Sequence, residues 1–410
     1  MSQQISGSAA AASSEATLSS IYSKEKANVA RLTVAQALAG ANTSVIFATG
    51  AIVGNTLAPD KSLATLPISI FVVGMTACSL PIGAIAQRFG RNVAFLSGTA
   101  SGILTGLLGA LAVVLGSFWL FCLATFFGGA YAAVVFSYRF AAADCVPPER
   151  RPRALSFVMA GGVFAGVIGP QLVNFTMDLW APHTFAITFV GQAVVAAVAA
   201  LVLLGIQVPN PVAVATGGNP RPIREIALQP AFVIAVICGV VSYLLMNFLM
   251  TAAPLAMRLC GLPQKAANLG VQWHVIAMYG PGFFTGRLIE RFGANKVVLA
   301  GLVLSGIAAL IGMGGTDVEH FWLMLIVLGL AWNFGFIGAS AMVLRTHRPN
   351  EKARVQAFND FIVFGIVAIG SFLSGSLLTA YGWNIVLGLS FIPLSFAVLT
   401  LLLKGRAAAA

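Results

Sequence analysis

Long apolar runs, each closed by a short polar or glycine-rich break, repeat along almost the whole chain. Runs long enough to cross a hydrocarbon core of ~30 Å cover residues 33–57, 62–86, 93–115, 117–143, 155–178 and 184–207. Six more cover residues 231–257, 266–290, 297–314, 320–345, 355–380 and 384–404. The pattern predicts an all-α membrane protein of twelve transmembrane helices in two six-helix halves, residues 29–207 and 231–410. A connection over residues 208–230, with Pro209, Pro211, Gly217, Gly218, Pro220 and Pro222, separates them. Residues 1–28 are rich in Ala, Ser and Gln and contain no apolar signal-peptide core, so they read as a disordered cytoplasmic tail.

The halves repeat one another. Gly83-Ala-Ile-Ala-Gln87-Arg88-Phe89-Gly90-Arg91-Asn92 returns as Gly286-Arg-Leu-Ile-Glu290-Arg291-Phe292-Gly293-Ala294-Asn295, and Phe118-Trp119-Leu120 returns as Phe321-Trp322-Leu323. Pro147 and Glu149 return as Pro349 and Glu351, at the same offset to within a residue. Such a repeat describes two parallel, pseudo-symmetric halves.

Composition agrees. At 59% hydrophobic, 9% charged and a mean hydropathy of +0.92, the chain carries more apolar surface than a soluble core could bury. A net charge of +11 in a soluble protein would suggest nucleic acid, but no basic stretch with interleaved aromatics supports that. Topology accounts for the charge: of twenty-three Lys and Arg, one set of connections holds only Lys61, Arg258 and Lys265, which places both termini in the cytoplasm. The five cysteines stand singly, with neither a disulfide framework nor zinc spacing. No nucleotide-binding, serine-hydrolase or zinc-protease motif is present, so the expectation is not an enzyme and no permanently bound cofactor.

Two pairs of soft ligands stand out. Met246 and Met250 lie four residues apart in the seventh span, and His274 and Met278 four apart in the eighth, so each pair shares one helix face. Met257 continues the first face, and Cys260 sits where it meets the outer surface. Thioether, imidazole and thiol suit copper(I) and are poor ligands for magnesium or calcium. Methionine is also an ordinary core gap-filler, whereas a histidine at membrane depth is costly and usually serves a function. Among the other polar residues in the spans are Gln36, Asn42, Thr43, Arg139, Asn174, Gln192, Asn247 and Asn333. Asp360 is the one acid clearly inside a span, fit to carry a proton or merely to pair with Arg354 or Arg139.

The Gly-x-x-x-Gln-Arg-x-Gly-Arg stretch (Gly83, Gln87, Arg88, Gly90, Arg91), its echo (Glu290, Arg291, Gly293) and the six-plus-six layout resemble the major facilitator superfamily. Gln87 stands where that family usually has Asp. The resemblance implies that these turns brace neighbouring helices during alternating access. The MxxxM and HxxxM pairs, with Gln272-Trp273-His274 and Gly280-Pro281-Gly282-Phe283-Phe284-Thr285-Gly286, resemble the CcoA-like subfamily. That resemblance implies a copper importer of the bacterial inner membrane serving haem-copper oxidase assembly, with Met246, Met250, His274 and Met278 binding copper and Cys260 matching a family cysteine. The subfamily also contains riboflavin transporters. Riboflavin or another small organic solute is therefore the alternative, with Trp273, Phe283, Phe284 and Trp332 as binding groups; a metal-binding membrane sensor or assembly partner is the third. The expected partners are the lipid bilayer and the solute, and the expected state is a monomer.

Overall fold

The structure is a computed structural model that describes residues 23–60, 63, 66–208 and 220–404. Residues 1–22 of the expected tail, Lys61 and most of the connection between the halves lie outside the described residues. The first half contains α1 (Glu25–Leu57), α2 (Leu66–Phe89), α3 (Arg91–Leu115), α4 (Phe118–Asp144), α5 (Arg151–Ala160), α6 (Gly162–Thr176) and α7 (Ala186–Leu204). A short helix, α8 (Ile223–Ala227), leads into the second half: α9 (Pro230–Leu259), α10 (Gln264–Tyr279), α11 (Gly282–Phe292), α12 (Ala294–Gly314), α13 (Val318–Trp332), α14 (Gly338–Val343), α15 (Lys352–Tyr381) and α16 (Trp383–Lys404).

Among the described residues eleven segments are long and apolar enough to cross a membrane. The remaining expected span, residues 266–290, is broken at Gly280-Pro281 into α10 and α11, of 16 and 11 residues, neither long enough alone. Proline lacks the N–H that would continue the ladder, and the helical run is interrupted there. The first helix begins at Glu25, inside the stretch expected to be tail. Polar bonds hold that extra length: Asn28 Nδ2 donates to the Gln207 carbonyl at 2.8 Å, the Gln207 N–H donates to Asn28 Oδ1 at 3.1 Å, and Glu25 pairs with Arg150 at 2.8 Å. Hydropathy is blind to such an anchor.

Large apolar side chains point outward, among them Trp119, Leu201, Leu310 and Leu403, each more than half exposed and suited to lipid. The main buried cluster runs through both halves, from Val45, Phe71 and Phe136 to Met246, Trp332 and Phe364. The halves meet chiefly along two edges, α2 against α15 and α5 against α11. Both edges approach the side carrying the α2–α3 and α11–α12 turns with Arg88, Arg91 and Arg291, here called the basic side. Glycine permits the closeness: a Cβ on Gly83 would collide with that of Ala357 on α15, and one on Gly286 with the backbone of Arg153 on α5. Gly90 and Gly293 end their helices at φ 90° and 85°, a conformation that excludes ordinary side chains.

Candidate functional site

Closure on the basic side is ionic along one edge. Arg91, buried at the start of α3, pairs with Asp144 at the end of α4 at 2.7 Å and donates to Gln356 Oε1 of α15 at 2.7 Å. Lys352 of α15 reaches the same Asp144 oxygen at 3.1 Å, and Gln356 Nε2 meets His347 Nε2 at 3.2 Å. One carboxylate thus holds a cation from each half. Beside this group Arg221 grips Glu351 through both carboxylate oxygens, at 2.8 and 2.6 Å, and holds its pKa down to about 2. Burial pushes the His347 imidazole down to about 4, so it is neutral at neutral pH.

The expected motif residues divide between this lock and the surface. Gly83 and Arg91 make the close approach and the ion pair, and Gly90 and Gly293 form the turns. Gln87 is half-buried. Arg88 and Arg291 are exposed and lie over the rings of Phe89 and Phe292, each at 5.2 Å, so the repeat is preserved in its cation–π contacts. Glu290 is exposed and faces a surface hollow with Arg150 and Arg345.

Deeper in the bundle a second ion pair joins the halves. Arg139 of α4, fully buried, donates to Asp360 Oδ1 of α15 at 2.5 Å and to Ser340 Oγ of α14 at 3.1 Å. Of the two partners expected for Asp360, Arg354 instead donates to the Arg221 carbonyl, leaving Arg139. The guanidinium lies over Phe140 at 4.2 Å and Phe336 at 4.8 Å.

Phe336 opens onto an aromatic group drawn from both halves. Phe136 of α4 meets Tyr243 of α9 at 5.8 Å and Phe364 of α15 at 5.1 Å. Tyr243 meets Trp332 at 5.8 Å, Trp332 stacks on Phe336 at 5.1 Å, and Tyr279 of α10 meets Trp332 at 5.6 Å. Trp332 ends α13, and residues Asn333–Ile337 continue as a π-helical turn, which re-aims the aromatic pair. Buried in this neighbourhood, Trp332 Nε1 and Ser242 Oγ have no hydrogen-bond partner among the described residues. Buried polar atoms are rarely left so, and a solute is one way to satisfy them.

The soft ligands are placed unevenly. Met246 and Met278 are buried in the same cluster as the aromatic group, and Met250 packs against it. Met257 is buried in a different cluster with Phe321, Met324 and Trp383, and Cys260 is exposed at the end of α9, so the expected continuous ladder is divided. His274 is fully buried and turns toward α13, its Nδ1 donating to the Leu325 carbonyl at 2.7 Å. A carbonyl only accepts, so Nδ1 carries the proton and the unpartnered Nε2 keeps a free lone pair. Among the described residues no three His, Cys, Asp or Glu gather to hold a metal.

Sequence reasoning missed most of the aromatic group. Of the four aromatics expected to bind a flat solute only Trp332 is interior; Trp273, Phe283 and Phe284 are almost half exposed on the outside of the bundle. Asn174 is exposed as well, whereas Asn333 is buried, accepting from Thr285 Oγ1 at 2.6 Å and donating to the Met278 carbonyl at 2.7 Å. Asn247 donates to Ser371 Oγ, and Gln192 to the Asn42 carbonyl at 3.5 Å. These amides tie helices together.

Comparisons with known proteins agree with this architecture. The chain is 45% identical over 389 residues to the riboflavin transporter RfnT of Brucella anthropi, covering 93% of this chain and 97% of that one. It is 27% identical to the uncharacterized MFS-type transporter YdeG of Bacillus subtilis, over 91% of this chain and 89% of that one. Among solved structures, the proton:xylose symporter XylE bound to 6-bromo-6-deoxy-D-glucose superposes with a TM-score of 0.75 at 14% identity, covering 94% of this chain and 96% of that one. The sequence model of the Major Facilitator Superfamily matches residues 32–282 and 235–409. With eleven candidate membrane-spanning helices among the described residues and twin glycine-arginine turns, the chain belongs to the major facilitator superfamily and is a membrane transporter rather than an enzyme.

Proposed function

We propose that this protein imports riboflavin, or a flat heteroaromatic solute like it, across a bacterial inner membrane, working as a monomer without a resident cofactor. The observation that carries the reading is the aromatic group of Phe136, Tyr243, Trp332, Phe336 and Phe364, contributed by both halves where the substrate sites of this architecture lie. Offset and edge-to-face ring contacts suit an isoalloxazine. The unpartnered Trp332 N–H offers a hydrogen bond to one of its carbonyls. The 45% identity to a riboflavin transporter supports the same solute. The basic side is read as cytoplasmic from its excess of Lys and Arg, which puts the described state closed toward the cytoplasm.

Copper is the second reading, favoured by the free Nε2 of buried His274 and the thioethers of Met246, Met250 and Met278. Counterflow of riboflavin in proteoliposomes tests the first reading. Saturable exchange that Phe136→Ala abolishes supports it; exchange of copper(I) without exchange of riboflavin overturns it in favour of the second.

A further inference from the structure

Tyr243 is the hub of the aromatic group. Its ring meets Phe136 at 5.8 Å, Trp332 at 5.8 Å, Phe336 at 5.1 Å and Phe364 at 5.7 Å, with interplanar angles between 68° and 77°. One ring thus stands crosswise to four others, in the edge-to-face geometry that aromatic pairs prefer. Phe136 belongs to the first half and the other three rings to the second. These four walls are buried, none more than 8% exposed, whereas Tyr243 is only half-buried.

The walls hold one another. Phe336 lies against the Arg139 guanidinium at 4.8 Å and stacks on Trp332 at 5.1 Å, while Phe136 packs on Phe364 at 5.1 Å and on Phe336 at 6.2 Å. A flat solute laid between two rings needs ~3.5–4.0 Å on each of its faces, and so ring centroids ~7 Å or more apart. The ring pairs in contact here stand at 5.1–6.2 Å and leave no such gap. Room for a solute ring appears only if one of the five rings leaves, and Tyr243, alone of the five, is partly exposed.

We propose that Tyr243 is a resident guest of this cage, holding the place of the solute's ring while no solute is bound, and that an arriving aromatic ring displaces it. The phenol side chain swings toward its exposed side by a change of rotamer, and the solute takes over the contacts with the four walls. While seated, Tyr243 joins α9 of the second half to Phe136 of the first. The cage is therefore filled, and the halves bridged, in the unloaded protein as in the loaded one. Return of the unloaded carrier depends on the guest; exchange of one solute for another depends on it far less. The inference rests on the aromatic group being the solute site, and not on riboflavin being the solute.

Three measurements test it. Tyr243→Ala should lose melting temperature in detergent and regain most of the loss on addition of p-cresol, the tyrosine side chain as a free molecule, while the wild type does not respond. In proteoliposomes Tyr243→Ala should depress net efflux of riboflavin more than counterflow. The ratio of the two should fall by about 2- to 13-fold for the Phe136 contact alone, and Tyr243→Phe should restore it. The third measurement needs no truncated side chain. In full-length protein carrying fluorotyrosine, the Tyr243 fluorine resonance, identified by its absence from Tyr243→Phe, should shift as riboflavin is added, because the ring leaves its four neighbours. A Tyr243 resonance unmoved by saturating riboflavin, equal losses of net efflux and counterflow, or a Tyr243→Ala protein indifferent to p-cresol overturns the proposal. Wild-type protein without riboflavin counterflow, together with rescue of Tyr243→Ala by p-cresol, counts against riboflavin alone, because the p-cresol measurement contains no riboflavin.

Discussion

Gly83→Val measures how tightly the basic side is shut. A Cβ at this position would land on the Ala357 Cβ and stand 3.3 Å from the Ala353 carbonyl, both on α15. Neither neighbour can rotate away, since one is a methyl fixed to the backbone and the other is backbone, so α2 and α15 must separate. Overpacking of this kind costs ~1–3 kcal/mol, which lowers the ratio of closed to parted protein by about 5- to 150-fold. Within each half Gly83 has no comparably close neighbour, so the cost falls on the closed arrangement and spares the fold of the half. Gly286→Val should do the same on the opposite edge, against Arg153 and the Pro152 carbonyl. The edges share no partner, and the two costs should add. Nitroxide labels at Arg88 and Arg348, both exposed and on opposite halves, report the separation by double electron–electron resonance after the five native cysteines are replaced by serine. A longer-distance population should appear in each single variant and dominate in the double. An unchanged distance distribution in folded Gly83→Val protein would refute the view that this contact limits closure.

Trp332→Phe keeps the ring and removes the unpartnered N–H, so riboflavin binding measured by fluorescence quenching should weaken by about 3- to 10-fold, one ordinary hydrogen bond; unchanged affinity would remove Trp332 Nε1 from recognition. Glu351 has a folded pKa of about 2 against an ordinary 4.5, so the stability it adds is complete above the ordinary value and lost as pH falls toward 2. The melting-temperature gap between wild type and Glu351→Gln in detergent should accordingly be larger at about pH 7 than at about pH 3; a gap that widens in acid contradicts the Arg221 pairing. The double variant Met246→Leu, His274→Leu should retain riboflavin counterflow, because Met→Leu typically costs below ~1.5 kcal/mol and neither side chain belongs to the ring contacts. Loss of copper accumulation in the same protein, with riboflavin exchange absent from the wild type, would instead make copper the cargo.

The spans and the repeat were legible because lipid selects composition over long windows, and the paired glycines mark turns whose φ only glycine adopts readily. Individual contacts were not. Trp273, Phe283 and Phe284 face outward and Trp332 inward, yet aromatic side chains suit lipid and interior alike, so residue type alone does not separate the two. The aromatic group is assembled from five places in the chain, Phe136, Tyr243, Tyr279, the Trp332–Phe336 turn and Phe364, and no local spacing links them. Asp360 had two candidate partners in sequence; the choice of Arg139, 221 residues away, is made by the packing of α4 on α15. The i, i+4 spacing placed His274 and Met278 on one helix face correctly but could not say that the imidazole meets Leu325 of α13.

The two closing edges are chemically unlike, although they descend from one repeated turn. Arg91 follows Gly90, whereas Ala294 follows Gly293, so one edge is fastened by Arg91, Asp144, Lys352 and Gln356 and the other by packing and by Ser156, which bonds the Gly282 carbonyl and the Gly286 N–H. Ions dragged apart must be rehydrated, whereas the contact at Ser156 and Gly286 is a hydrogen bond between neutral groups. When the halves part, the first edge therefore takes up water around its separated charges at Arg91, Asp144 and Lys352. Solutes excluded from protein surfaces oppose such uptake, so sucrose or a similar osmolyte should hold that edge shut and slow the cycle, and the osmotic sensitivity of transport counts the water admitted at Arg91 and its partners.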